Sequence, residues 1–162
     1  MQPLLTILIP TVVGREAEFD KLKGNIDLQC AILGGYDEVE ILSLKDNKEI
    51  TIGEKRERLY SMANGLFSWM IDDDDSIAPD AIQTILAVIK DNPNIPCITF
   101  RENCMMNGEY KSSNHSIKYE KWADNFDGYA YVRCPFYKDV IRTDIAKSVL
   151  FEYVSYKEDE KF

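Results

Sequence analysis

Histidine is almost absent from this chain: His115 is the only one in 162 residues. The four cysteines, Cys30, Cys97, Cys104 and Cys134, include no C-x-x-C pair, and with one histidine beside them that spacing gives a structural zinc site little support. Reduced, partly buried thiols are expected instead. Positive charge is also short, with 19 Lys and Arg against 28 Asp and Glu and a net charge of -9. A field of that sign repels phosphate backbones unless the basic residues are gathered in one place, so no nucleic acid partner is expected. Long apolar runs are missing too: "LLTILIP", Leu4 to Pro10, is too short to span a bilayer and lacks the flanks of a signal peptide. No membrane span and a cytoplasmic location are expected. Asn114-His115-Ser116 matches a glycosylation sequon, which has meaning only in a secreted protein. No internal repeat or low-complexity linker is found in these 162 residues, and a second domain within them is not expected.

What is present is an ordinary globular composition, 45% hydrophobic and 11% aromatic, in a chain long enough for one domain with a substantial core. Thr6 to Pro10 reads as a strand buried on both faces. Phe19, Leu22, Ile26 and Cys30 recur at helical spacing, and Gly34-Gly35 breaks the helix before a second strand, "VEILSL", Val39 to Leu44. Thr51 and Glu54 fit a capping box at the start of a second helix, with Gly65 placed for a left-handed stop. "LFSWMI", Leu66 to Ile71, is a third strand. Pro79 in a first helical turn, followed by Ile82, Ile85, Leu86 and Ile89, marks the most clearly amphipathic helix. Alternating strands and helices predict an α/β fold with a mostly parallel sheet, which binds ligands beyond the carboxyl ends of its strands. Past "PCITF", Pro96 to Phe100, the character changes: Asn107-Gly108 predicts a hairpin, and aromatic residues crowd the stretch from Tyr110 to Tyr137. Later, Thr143 is placed to cap a short helix.

The third strand delivers four consecutive aspartates, Asp72 to Asp75, to that carboxyl edge. If the strand continued, Asp72 and Asp74 would share one face and Asp73 and Asp75 the other. Two like charges about 7 Å apart repel by roughly 0.6 kcal/mol in water and roughly 2.4 kcal/mol at an effective dielectric near 20. A bare cluster is therefore unfavourable, and a divalent cation would reverse the sign; Mg²⁺ or Mn²⁺ favours one or two carboxylates plus water and substrate phosphate oxygens. Asp75, Ser76 and Asp80 have a plainer explanation as capping residues for the next helix. Lys55, Arg56 and Arg58 alternate with Glu54 and Glu57, which suits a solvated, salt-bridged helix face as well as a phosphate contact. Asp46, within "KDNKE", also fits turn chemistry.

Taken in order, "LTILIPT" (Leu5 to Thr11), "VEILSLKDN" (Val39 to Asn47), "GEKRERLYSMANGLFSWMIDDDD" (Gly53 to Asp75) and the terminal "KEDEKF" resemble an inverting family-two glycosyltransferase of the GT-A fold. The resemblance implies a Rossmann-like sheet flanked by helices, with a small antiparallel hairpin region in the C-terminal half. It implies one domain over 1–162, with a nucleotide-sugar half (1–100) and an acceptor half (101–162). By the same resemblance, Pro10 and Thr11 line a uridine pocket, Asp46 accepts a hydrogen bond from the base, and Lys55 and Arg56 face the nucleotide. Asp72 and Asp74 become the outer members of a D-x-D motif, with Asp74 the direct ligand of Mn²⁺ or Mg²⁺ and Asp73 nearer the ribose. The implied reaction moves a sugar from a UDP-sugar donor to a carbohydrate or other hydroxyl-bearing acceptor.

An inverting transfer needs a carboxylate to take the acceptor's proton. The resemblance assigns that task to Asp159, with Glu158 as the alternative. Members of the family usually continue through further helices, so the resemblance implies either a shortened chain or an unusually small enzyme. Trp122 and His115 are the acceptor-side candidates. No Q-x-x-R-W motif is present, so a processive polymer synthase is not indicated. Two other readings stand beside this one: a nucleotidyltransferase on a related fold, which "TVVGREAEF" with its one glycine and one arginine fits poorly, and a domain that binds nucleotide and metal without turnover.

Overall fold

The structure is a computed structural model that describes residues 2–149. It opens with β1 (Leu5–Val12), whose first seven residues are all buried. An apolar strand covered on both faces needs a layer on each side, and the chain supplies both. α1 (Glu16–Ile32), β2 (Val39–Asp46), α2 (Ile52–Met62), β3 (Phe67–Met70) and α3 (Ala81–Asp91) follow in alternation. Leu5, Ile7, Ile9, Phe67 and Trp69 pack with Leu22 and Ile26 of α1 and Ile82, Ile85, Leu86 and Ile89 of α3. Leu8 and Met70, on the opposite face, pack with Leu59 and Tyr60 of α2. Period-two alternation along β1 thus feeds two cores.

β1 pairs in parallel with both β2 and β3. The sheet is completed by β4 (Cys97–Ile98) and β9 (Val140–Arg142) in the order β2-β1-β3-β9-β4, with β9 antiparallel to both its neighbours. Four of the five strands therefore run the same way, as expected of a mostly parallel sheet. A second sheet holds β5 (Arg101–Met106), β6 (Glu109–His115), β7 (Ala123–Phe126) and β8 (Tyr129–Arg133) in the order β5-β6-β8-β7. The Asn107-Gly108 hairpin is there, with φ of 52° and 81° at its two central residues, the left-handed pair that a two-residue hairpin turn demands. The region is not purely antiparallel: β6 and β8 pair in parallel. The chain then returns through β9 and α4 (Thr143–Ala146) to the first sheet, so both halves of the sequence build it. Among the described residues no helix is long and apolar enough to cross a membrane.

Several local expectations are corrected. Thr51 does cap α2, accepting from the Glu54 amide at 3.2 Å, but Gly65 has no positive φ. It is needed for contact: a Cβ there would stand 2.6 Å from the Thr6 backbone nitrogen. Pro79 and Asp80 lie in a turn ahead of α3, and Asp80 makes no side-chain cap. Gln29, buried on α1, takes that role from another helix: its Oε1 accepts from the Ile82 amide at 3.0 Å and its Nε2 donates to the Ala78 carbonyl at 2.8 Å. Thr143 is the first residue of α4 rather than its cap, and its hydroxyl bonds Ser68 at 2.7 Å.

Candidate functional site

β1, β2 and β3 end at Val12, Asp46 and Met70, and their parallel pairing brings those three ends to one edge. There the surface opens into a cleft of about 270 Å³. Of the residues singled out from the sequence, Pro10, Thr11, Lys55, Arg56, Asp72, Asp73 and Asp74 all line it. Asp46 stands behind Lys55 and bonds its ammonium.

The aspartates do not extend the strand. β3 stops at Met70, and the Asp75 amide donates to the Asp72 carbonyl at 3.0 Å, so the run folds as a turn and strand alternation does not apply. Nor is the cluster bare. Asp72 accepts from Arg56 at 3.1 Å and from the Tyr137 hydroxyl at 3.1 Å. Asp73, 3% exposed, takes the Thr11 hydroxyl at 2.7 Å on one oxygen and the Arg15 guanidinium at 2.9 Å on the other. Asp74, 57% exposed, shares that guanidinium at 2.7 Å. Asp75 pairs with Lys138 at 2.8 Å. Burial raises the Asp75 carboxyl even so, against the pull of Lys138. Two guanidinium groups and one ammonium thus supply the compensation that a metal was expected to bring, so charge repulsion by itself does not call for an ion.

Lys55 and Arg56 are not on a solvated helix face. Arg58 and Glu54 form the exposed i,i+4 pair, while Lys55 and Arg56 turn inward and are buried. The Lys55 ammonium donates to the Thr11 carbonyl at 2.6 Å and to Asp46. Burial opposes the charge on Asp46, but the Ile50 amide and Lys55 hold its carboxyl below the ordinary value. The Arg56 guanidinium lies over the Tyr137 ring, 3.4 Å from its centre. A cation stacked on an aromatic face and hydrogen-bonded to a carboxylate is held in one orientation.

Arg15 and Tyr137 were missed as site residues. Arg15 was legible only as an isolated arginine after the first strand, and Tyr137 as one aromatic among many. Their roles depend on partners 58 or more positions away.

On the acceptor side, Trp122 is 42% exposed, edge-on to Phe136 at 5.5 Å and covered on one face by Arg133 at 4.9 Å. His115, the other acceptor-side candidate, is buried rather than presented at a surface. It is 2% exposed, held by Asp139 at 3.0 Å and Glu102 at 3.2 Å, because an apolar pocket of Phe100 and Phe136 closes over it. Burial works against its charge, yet the two carboxylates win and lift its pKa to about 9. Asp159 and Glu158 lie outside the described residues.

The model of glycosyl transferase family 2 matches residues 28–155. The chain belongs to that family. Membership sets aside the nucleotidyltransferase reading, although the matched span contains neither Pro10-Thr11 nor Glu158-Asp159. No curated protein matches the chain. Among solved structures, residues 1–349 of TarS from S. aureus superpose with a TM-score of 0.57 at 16% identity, covering 98% of this chain and 53% of that one. The same protein in complex with UDP gives 0.58 at 14%, covering 98% and 52%, and in complex with UDP-GlcNAc 0.54 at 14%, covering 94% and 49%. These likenesses show a shared GT-A-type α/β fold, and this family 2 chain spans about half the length of the structures it matches.

Proposed function

We propose that this chain carries the donor site of a metal-dependent, inverting glycosyltransferase that uses a UDP-sugar. The observation that supports it most directly is the cleft at the carboxyl ends of β1 and β3, where reachable carboxylates of Asp72 and Asp74 stand beside the buried cations Lys55 and Arg56. A nucleoside diphosphate needs both kinds of group. Arginine forks suit phosphate oxygens, and a carboxylate edge suits a hard cation that travels with them. Family membership and a fold shared with a protein solved with UDP and UDP-GlcNAc support the choice of donor.

Among the described residues, no three His, Cys, Asp or Glu groups converge on one point as a metal cage. Oxygen-only donors contributed by one or two carboxylates are nonetheless what Mg²⁺ or Mn²⁺ accepts when a substrate diphosphate completes the shell. Asp74, the most exposed of the three cleft aspartates, would be the direct ligand and Asp72 its neighbour. Bound there, the ion would neutralise charge on the departing diphosphate. Pro10 and Thr11 would flank the uracil, Asp46 would accept from it, and Asp73 would lie toward the ribose. Lys55, clamped between Asp46 and the Thr11 carbonyl, would hold the pocket's floor rather than move. Asp159, with Glu158 as the alternative, would take the proton from an acceptor hydroxyl as it attacks opposite the nucleotide, and Trp122 would offer the acceptor a ring face.

Thermal melting with UDP, with and without Mn²⁺, tests the site. Asp74→Asn is expected to weaken the Mn²⁺-dependent part of UDP binding on the order of tenfold or more, since it removes a ligand's charge. Asp159→Asn is expected to keep that binding and to stop slow release of UDP from a UDP-sugar. UDP and Mn²⁺ held as tightly by Asp74→Asn as by the parent would sink the metal assignment. Binding with no release from any UDP-sugar would leave a binding domain without turnover.

A further inference from the structure

Asp74, the carboxylate best placed to meet an incoming cation, is already bridged to the buried Asp73 by one. The Arg15 guanidinium reaches Asp73 at 2.9 Å and Asp74 at 2.7 Å. It also lines the cleft that Lys55 and Arg56 line. Arg15 stands just ahead of the first residue of α1, a helix of 17 residues, where the helix dipole favours negative charge and disfavours positive. A guanidinium in that position needs an anion. Two sources are at hand: the aspartate pair, or a diphosphate seated in the cleft, whose oxygens fit the same fork.

We infer that Arg15, anchored on Asp73, holds the place of the divalent cation at Asp74 in the absence of donor, and yields it only as a nucleoside diphosphate arrives to receive the guanidinium. This rests on the metal-dependent reading above and deepens it. Without the diphosphate, an entering ion meets carboxylates that are already neutralised and a positive group with nowhere to go. With it, the ion gains Asp74 while Arg15 passes to the phosphate oxygens. Arg15 is thereby a positioning residue that couples metal and donor. The protein would take them together and resist loading with metal alone.

The coupling is measurable as a ratio. Mn²⁺ affinity of the full chain, followed by electron paramagnetic resonance of the free ion, is determined with and without saturating UDP. In the parent protein UDP is expected to tighten Mn²⁺ binding strongly, and in Arg15→Met that enhancement is expected to fall about tenfold, a typical coupling magnitude. Simple repulsion between guanidinium and ion would tighten Mn²⁺ in Arg15→Met equally with and without UDP, leaving the ratio unchanged. An unchanged ratio therefore overturns the exchange. Arg15→Gln, which keeps a polar side chain but no charge, is expected to lose the enhancement as Arg15→Met does; a parental ratio there also overturns it. Failure of the underlying reading looks different: Mn²⁺ would be unbound by the parent even with UDP, or bound equally by Asp74→Asn, and the exchange would fall with it.

Discussion

Replacing Gly65 with alanine is expected to destabilise the protein by about 3 kcal/mol, near the upper end for forcing atoms into a packed region. At this chain length that corresponds to a fall in Tm on the order of 10 °C. The reason is contact rather than conformation. Gly65 follows α2 and precedes β3, and its amide donates to the Thr6 hydroxyl at 2.8 Å. That hydroxyl in turn donates to Glu40 of β2 at 2.7 Å, and Glu40 also accepts from the Asn64 amide at 2.9 Å. Burial opposes the charge on Glu40, but the bonds from Asn64 and Thr6 outweigh it and lower its pKa. A new Cβ would lie 2.6 Å from the Thr6 nitrogen, 2.7 Å from its hydroxyl and 2.8 Å from the Leu5 carbonyl carbon. Two of those neighbours are backbone of β1, an interior strand that cannot give way without shifting its pairing to both β2 and β3. Gly24→Ala is the matched control. Gly24 lies mid-way along α1, where an added Cβ would meet nothing within 4 Å, and alanine there is expected to stabilise by roughly 0.5–1 kcal/mol. Urea melts of the two variants decide the matter; equal stability for Gly65→Ala and the parent would refute the close-approach account.

The contrast between these glycines shows where sequence reasoning reaches. Signals carried by a few neighbouring residues were legible: the apolar run that became β1, the Thr51 cap, the Asn107-Gly108 turn, the apolar stripe of α3. Each is decided by torsions and periodicity within one element. Gly65 was misjudged because its requirement comes from Thr6, a residue 59 positions away. The cap of α3 failed for the same reason, since the oxygen that satisfies Ile82 comes from Gln29 on another helix. The aspartate run was correctly placed at the sheet's carboxyl edge, but its charge balance depends on Arg15, Arg56 and Lys138, brought from three other segments. Nothing in local spacing separates Lys55 and Arg56, turned inward, from Arg58, turned out, until the sheet that α2 packs on is known.

The buried charge at His115 carries the other large expected effect. Removing its partner with Asp139→Ala is expected to destabilise by about 3–4 kcal/mol, because the imidazolium would keep its burial and lose its closest counter-charge. Asp139 is fully buried, and besides His115 it accepts from the Phe136 amide at 3.1 Å. The first bond ties β6 of the second sheet to the loop that leads into β9 of the first, and the second braces that loop on itself. The pair therefore joins the two sheets, beside the Phe136-Tyr137 rings that reach Asp72.

A pH dependence with a definite sign follows. The folded pKa of His115, about 9, lies above its ordinary 6.5, so its contribution is fully present below pH 6.5 and is lost as the pH rises through about 9. A shift of that size corresponds to roughly 3 kcal/mol. In acid the neighbouring carboxyls oppose one another. Burial raises Asp139 above the ordinary value, whereas Glu102, despite its own burial, is lowered by its close pairing with His115. The alkaline window is therefore the informative one. Between pH 7 and pH 10 the parent is expected to lose stability on that scale, and His115→Gln, which cannot titrate, is expected to lose at most half as much while being less stable at pH 7. Tyrosine and lysine deprotonation elsewhere affects both proteins alike and cancels in the difference. The same alkaline slope in His115→Gln as in the parent would show that the imidazole is neutral in the fold, and that what joins the sheets is packing against Phe100 and Phe136 rather than charge.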